Sequence, residues 1–275
     1  MKIGIVGLGA PGARFVARGL SRGLSMVGFD KGGLPRALMA SALEEAPALE
    51  ALTAALETPR LVLLCTEPGA LADEAFLGLR RHLSDGDVVL DATASHWRDS
   101  VRRYRSLRAR GLRLLDLGVS GQDDGAWSVM VGGDLDAYAA VASLVERLAE
   151  PGKAAYVGPP GAGHFAAHLC GALEGAMRRT LAEGLSLLEA SDYRFDLSAL
   201  LSLWQGGSAL SGAVVERQAR GLSGDEAPSK GAPPWIVEHA LERGVPVPLL
   251  SVARCEALRA AAAPAPAARP SPSPL

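Results

Sequence analysis

The chain of 275 residues is 48% hydrophobic and carries a formal net charge of −2. That suffices for two ordinary domains with packed cores and gives no electrostatic reason to expect nucleic acid or an anionic membrane as partner. No apolar run reaches the ~18 residues that span a bilayer, and Cys65, Cys170 and Cys255 are far apart with no C-x-x-C between them, which argues against a disulfide framework or a zinc site and for reduced thiols in the cytoplasm.

Lys2 to Val6 is a short apolar run that reads as a strand rather than as the core of a signal peptide. It ends in Gly7-Leu8-Gly9-Ala10-Pro11-Gly12, and an Ala/Arg/Val-rich helix follows to Leu20. Ser25 to Asp30 is a second strand. An Ala/Leu/Glu helix lies around residues 45–57, and Arg60 to Cys65 is a third strand. Asp87 to Ala92 and Leu112 to Leu117 are the fourth and fifth, separated by a basic helix from Ser100 to Arg110. Trp127 to Val131 is the sixth. Short apolar strands alternating with helices predict an α/β fold, a doubly wound parallel sheet covered on both faces. After about residue 160 the strand signal stops and helical patterns take over. The predicted organisation is a Rossmann domain over 1–160, an all-α domain over 161–262, and a disordered Ala/Pro-rich tail over 263–275.

The glycine motif has the context that makes it informative: it follows a strand, opens a helix, and is answered by Asp30 at the end of the second strand. Gly7 allows the tight turn, Gly9 lets the backbone approach a pyrophosphate, and Gly12 permits close packing of helix on strand. Free N–H groups at the helix start attract the anion, and Pro11 costs no hydrogen bond in the first turn. Asp30 would accept from the adenosine ribose and repel a 2′-phosphate, which favours NAD over NADP. Adjacent Lys31 acts the other way. Leu8 and Ala10 within the turn, Thr66 and Glu67 after the third strand, and Ala94 after the fourth complete the expected cofactor contacts.

Further motifs follow in register: Asp99-Ser100-Val101-Arg102-Arg103, Leu115-Asp116-Leu117-Gly118-Val119-Ser120-Gly121, Met130-Val131-Gly132-Gly133, Gly161-Ala162-Gly163-His164-Phe165, and Gly244-Val245-Pro246-Val247-Pro248. In this order they resemble the short form of the 6-phosphogluconate dehydrogenase family, within the β-hydroxyacid dehydrogenases, from residue 1 to about 260. The resemblance implies a Rossmann domain followed by a helical domain through which the family dimerises, and oxidation of a sugar acid followed by decarboxylation. A lysine serves as base and a glutamate as acid on the helix after GAGH. Fold does not carry function by itself.

The chain departs from that pattern where the chemistry lies. By the resemblance, Ala167 stands at the catalytic lysine, Cys170 and Gly171 at a substrate-binding His-Asn pair, and Gly175 at a phosphate-binding tyrosine. Glu174, the acid position, is kept. Ala94 replaces the asparagine that touches nicotinamide and substrate, Gln122 replaces a glycine of the substrate loop, and Pro234 and Ala257 replace basic residues. On a helical wheel Phe165, Leu169, Leu173 and Met177 form an apolar face. His164, Ala167, Gly171, Glu174 and Arg178 lie opposite, and His168 falls about 100° from Ala167.

The expected catalytic residues are therefore Glu174 and Ser120, with Gly121, Gln122 and Gly171 binding substrate. His164 reads as a structural hydrogen-bonding residue, His168 as a weak candidate for a replacement base, Cys170 as a small core residue, Lys230 as a loop lysine, and Arg102 to Arg110 as a solvated helix face. No metal site is expected. The expected activity is that of a cytoplasmic, homodimeric NAD(P)-dependent oxidoreductase with an altered substrate, a larger or unphosphorylated hydroxy acid or a related small molecule, or a reductive reaction, since the small residues Ala94, Ala167, Gly171 and Gly175 would enlarge the pocket. The alternative is a dinucleotide-binding homologue without catalysis, serving as a sensor or assembly partner.

Overall fold

A computed structural model describes residues 2–121, 127–207 and 233–262. The chain forms two compact units, Met1–His168 and Leu169–Leu275. They divide inside a long helix, Ala162–Glu189, where the sequence suggests a break near residue 160.

The first unit is built on one eight-stranded sheet. Its strands are β1 (Lys2–Val6), β2 (Ser25–Phe29), β3 (Glu44–Glu45), β4 (Leu61–Leu64), β5 (Val88–Asp91), β6 (Arg113–Gly121), β7 (Trp127–Gly132) and β8 (Ala154–Gly158). The order is β3-β2-β1-β4-β5-β6-β7-β8. The first six of these run parallel, so the strand order reverses between β1 and β4, the place where open α/β sheets bind ligands. β7 lies antiparallel to β6, pairing Gly118 with Met130 and Ser120 with Ser128. This one antiparallel pairing in the parallel sheet has a simple reason. Only residues 122–126 separate the two strands, too few for a parallel crossover.

The helices of this unit are α1 (Ala10–Ser21), α2 (Leu49–Ala54), α3 (Ala70–Leu79), α4 (Trp97–Arg108), α5 (Leu135–Leu148) and the start of α6 (Ala162–Glu189). Apolar strands buried on both faces alternate between two cores. Leu61 and Leu63 of β4 join Ile5, Phe15 and Leu144 on the α1/α5 side. Val62 and Leu64 join Leu52, Phe76 and Leu107 on the α2/α3/α4 side.

The second unit contains the rest of α6, α7 (Leu197–Gly207), α8 (Pro234–Glu242) and α9 (Pro248–Ala262). Among the described residues its buried clusters are Leu181, Leu185 and Leu201 in one and Ala172 and Ile236 in the other. The expected tail, 263–275, lies outside the described residues, as do Gln122 and Lys230. Among the described residues no helix is long and apolar enough to cross a membrane, and no cluster of three His, Cys, Asp or Glu could hold a metal.

Candidate active site

The turn between β1 and α1 is fixed by its own backbone. Gly7 has φ +93° and its N–H donates to the Phe29 carbonyl at 2.9 Å. A Cβ on Gly12 would lie 1.9 Å from the Gly7 carbonyl oxygen, so only glycine lets α1 start this close to β1. A Cβ on Gly9 would meet nothing within 4 Å. That opening, at the N-terminus of α1, is where an anion can approach free N–H groups.

Asp30 holds the turn from the neighbouring strand. Its Oδ2 accepts from the Leu8 N–H at 2.7 Å and its Oδ1 from the Gly32 N–H at 2.8 Å. Gly7, Gly9, Pro11, Asp30, Lys31, Thr66 and Glu67 line one cavity of about 500 Å³, together with Leu49, Leu71, Glu74, Gly78 and Arg81. The Thr66 hydroxyl there is buried and has no hydrogen-bond partner, a polar atom that a ligand in this cavity could satisfy. Of the expected cofactor contacts, Leu8, Ala10, Gly12 and Ala94 do not line it: Leu8 is buried beneath the turn and Gly12 is spent on packing. Glu74 and Arg81 were not expected. They come from α3 and the turn after it, which no local motif marks.

A second cavity of about 250 Å³ shares Pro11 with the first. Its wall includes Arg14 and Phe15 of α1, Ala92 and Ala94 after β5, Gly118, Val119 and Gly121 of β6, Trp127 of β7, and His164, Ala167 and His168 of α6. Ala94 and Ala167, taken from separate motifs, thus meet in one space. Ala94 adopts φ +50°, the left-handed region that alanine enters only at a cost. β6 and α6 touch here: a Cβ on Gly118 would lie 2.0 Å from the Gly163 carbonyl oxygen and 2.6 Å from the Ala167 Cβ.

His168 is closer to the site than the helical wheel suggests. Its Nδ1 lies 2.7 Å from the His164 carbonyl oxygen, and the Ala94 carbonyl acts on the ring electrostatically. Burial holds its pKa below the ordinary 6.5, assisted by the fields of His164 and His96 and opposed by the two carbonyls. The wheel fails because the cavity is not only the strand side of α6; the Ala92–Ala94 segment flanks the helix and brings the wall around to His168.

Behind the cavity lies a buried polar network. Arg103, predicted as part of a solvated face, is 1% exposed. Its guanidinium donates to Asp91 at 2.9 Å, to Ser95 at 2.9 Å and to Asp73 at 2.9 Å. Burial alone would raise the Asp91 pKa, but His164, Arg103 and Thr93 together bring it below the usual carboxylate value. Asp116 accepts from the Gly161 and His164 N–H groups at 2.6 and 2.8 Å. Burial still pushes its pKa up. His164 is buried, with Nδ1 2.7 Å from the Ser100 hydroxyl. These bonds fasten α4 to the C-terminal end of β5 and the start of α6 to the middle of β6.

The remaining candidates divide. Gly121 lines the second cavity, whereas Ser120, its neighbour on β6, does not. Gly171 and Glu174 belong to the second unit. A Cβ on Gly171 or Gly175 would meet nothing within 4 Å. Glu174 is half-buried, with Oε1 3.6 Å from the Cys170 sulfur. The apolar face predicted for α6 is incompletely covered, since Leu173 and Met177 are about half exposed.

A glycine turn at the switch point of a doubly wound sheet, an acidic residue at the end of β2 and a helical second unit define a dinucleotide-binding dehydrogenase fold. Residues 2–158 match the model of the NAD binding domain of 6-phosphogluconate dehydrogenase. The chain is 29% identical over 265 residues to YqeC of Bacillus subtilis (strain 168), covering 92% of this chain and 89% of that one. It is 31% identical over 264 residues to the NAD(+)-dependent, decarboxylating 6-phosphogluconate dehydrogenase of Haloferax volcanii, covering 91% and 87%. The chain therefore belongs to the 6-phosphogluconate dehydrogenase family. It spans only 59% of the longer Salmonella typhimurium enzyme and 49% of that of Raoultella planticola. In fold it is similar to 3-hydroxyisobutyrate dehydrogenase from Salmonella typhimurium, with a TM-score of 0.78 at 22% identity over 95% of this chain and 94% of that one.

Proposed function

We propose that the chain is an NAD-preferring oxidoreductase that acts on a hydroxy acid, or a related compound, other than 6-phosphogluconate. One observation carries this reading. Ala167 and Ala94 stand in the wall of the second cavity, and the titratable residues of that wall are Arg14, His164 and His168, with no lysine. An alanine cannot take the proton that the family's lysine takes. A phosphorylated substrate also needs cationic or hydrogen-bonding partners, and Gly175, Pro234 and Ala257 stand where the resemblance puts three of them.

The residues of the first cavity fit a dinucleotide, which would supply the hydride chemistry when bound. The chain's own part is positioning and proton transfer. Gly9 and the start of α1 would bind the pyrophosphate, and Asp30 the ribose hydroxyls, which supports NAD over NADP. The resemblance assigns substrate contacts to Ser120, Gly121, Gln122 and Gly171 and the proton transfer to Glu174, and of these Gly121 lines the second cavity. His168, held neutral by burial, is the base nearest Ala167. We place this activity in the cytoplasm and in a homodimer formed through the second unit.

The test is a fluorescence titration with NADH and NADPH. A panel of hydroxy acids, 6-phosphogluconate included, is then followed by nicotinamide absorbance at saturating cofactor. The expected result is tighter NADH binding, no turnover of 6-phosphogluconate and turnover of another panel member. Efficient oxidation of 6-phosphogluconate would sink the proposal. Tight cofactor binding with no turnover across the panel would favour a second reading, which the same two alanines support: a cofactor-binding sensor or assembly partner without catalysis.

A further inference from the structure

We infer that Glu74 is a second determinant of cofactor choice, working against NADP by occupying the Lys31 ammonium group. The inference rests on the NAD preference proposed above and extends it to a residue on another element.

Asp30, Lys31 and Glu74 are three of the five charged side chains that line the cofactor cavity, the others being Glu67 and Arg81. Asp30 and Lys31 follow β2, and Glu74 comes from α3. The Asp30 carboxylate is held by two backbone N–H groups, at 2.7 and 2.8 Å, so its charge stays at the end of β2. It can accept from a ribose hydroxyl, and it opposes the ~2 negative charges of a 2′-phosphate. Lys31, the next residue, would counter that opposition if its charge were available. Instead its Nζ pairs with Glu74 Oε1. Asp30, Lys31 and Glu74 together present two negative charges and one positive. A neutral 2′-hydroxyl is indifferent to that balance and a phosphate is not.

The pair does little for the fold. Its side chains are 69% and 59% exposed, and such surface pairs contribute little to stability. Glu74→Gln should therefore fold normally, and its effect should appear in cofactor binding. One unit charge removed at the edge of a water-filled cavity, acting on a doubly charged phosphate, changes affinity by about three- to tenfold at low salt. Arg81 also lines the cavity, so the gain must be assigned to its cation.

The experiment measures the dissociation constants of NADH and NADPH by fluorescence at low and high ionic strength. It uses the full chain, the Glu74→Gln variant and the Glu74→Gln/Lys31→Gln double variant. In Glu74→Gln, NADPH should bind about three- to tenfold tighter with NADH changed less than about twofold. The gain should vanish in the double variant and shrink at high salt. A preference for NADH in the unmodified chain, with the same ratio in Glu74→Gln, overturns this inference and leaves the NAD reading standing. A gain that survives the loss of Lys31 also overturns it, since the cation is then another. An unmodified chain that binds NADPH as tightly as NADH, or binds neither, overturns the NAD reading and this inference with it.

Discussion

Arg103 is the charge that the first unit can least do without. A guanidinium at 1% exposure is tolerated because the buried Asp91 carboxylate faces it at 2.9 Å, with Ser95 and Asp73 satisfying its other N–H groups. Taking away one member of such a pair strands the other charge, which typically costs 3–5 kcal/mol. Arg103→Met should therefore lose about that much stability in urea unfolding, and adding Asp91→Asn should recover part of it. A loss below about 1 kcal/mol would mean that Asp91 does not depend on this partner. His168 gives a second residue-level prediction, with a sign fixed by linkage. Its pKa in the folded chain lies below the ordinary 6.5, so between the two values the unfolded chain binds more protons. The stability tied to a neutral His168 is present above pH 6.5 and is lost as pH falls through the folded value. His168→Gln should flatten that part of the stability–pH curve, measured as the difference between variant and unmodified chain. Equal slopes would show that the ring is as free to protonate in the folded chain as in the unfolded one.

At the scale of elements, the glycines separate packing from openness. On Gly163 a Cβ would lie 2.4 Å from the Asp116 carbonyl oxygen and 2.5 Å from that of Met130, both backbone atoms that cannot yield. On Gly171, further along the same helix, it would meet nothing within 4 Å. Gly163→Ala should lower the thermal midpoint by pushing α6 off β6 and β7, whereas Gly171→Ala should raise stability by about 1 kcal/mol through helix propensity. Destabilisation by both substitutions would refute the open surroundings of Gly171. The same contrast explains how far the elements were legible. The glycine turn could be read because each glycine answers a backbone constraint written within a few residues. Strands β1, β2, β4, β5 and β6 could be read because apolar runs buried on both faces stand out against helical neighbours, and β7 because buried Trp127, Val129 and Val131 alternate with half-buried residues. β8 escaped because Ala154, Tyr156 and Gly158 are only half-buried, and β3 because it is two glutamates, the sort of short charged edge that carries no apolar signal. In the site, Glu74 and Arg81 were missed and His168 was given little weight for a related reason: each reaches its cavity through the packing of another element, which no spacing in the chain records. Arg103 was misread because composition shows a basic helix and cannot show which of its arginines faces a buried aspartate.

For the molecule as a whole, the two units differ in how well they bury their apolar side chains. The first has a double core on the two faces of its sheet. In the second, the described residues bury Leu181, Leu185, Leu201, Ala172 and Ile236, while Leu187, Leu203, Leu241 and Leu249 are 74%, 69%, 73% and 79% exposed. Scattered apolar residues on a surface need no explanation, but four leucines this exposed on the described helices of one unit favour burial against another surface. The resemblance makes a second copy the expected partner, because the family dimerises through this region. If so, the second unit draws part of its stability from association, and its thermal midpoint should climb with protein concentration, since anything that binds only the folded chain stabilises it by mass action. Light scattering after size-exclusion chromatography should give twice the chain mass at micromolar concentration. Leu249→Lys, a change at a 79% exposed position that disturbs little within the chain, should shift the mass toward the monomer and remove the concentration dependence. A monomer whose midpoint is independent of concentration would mean that these leucines face water, and the proposed homodimer would have to be abandoned.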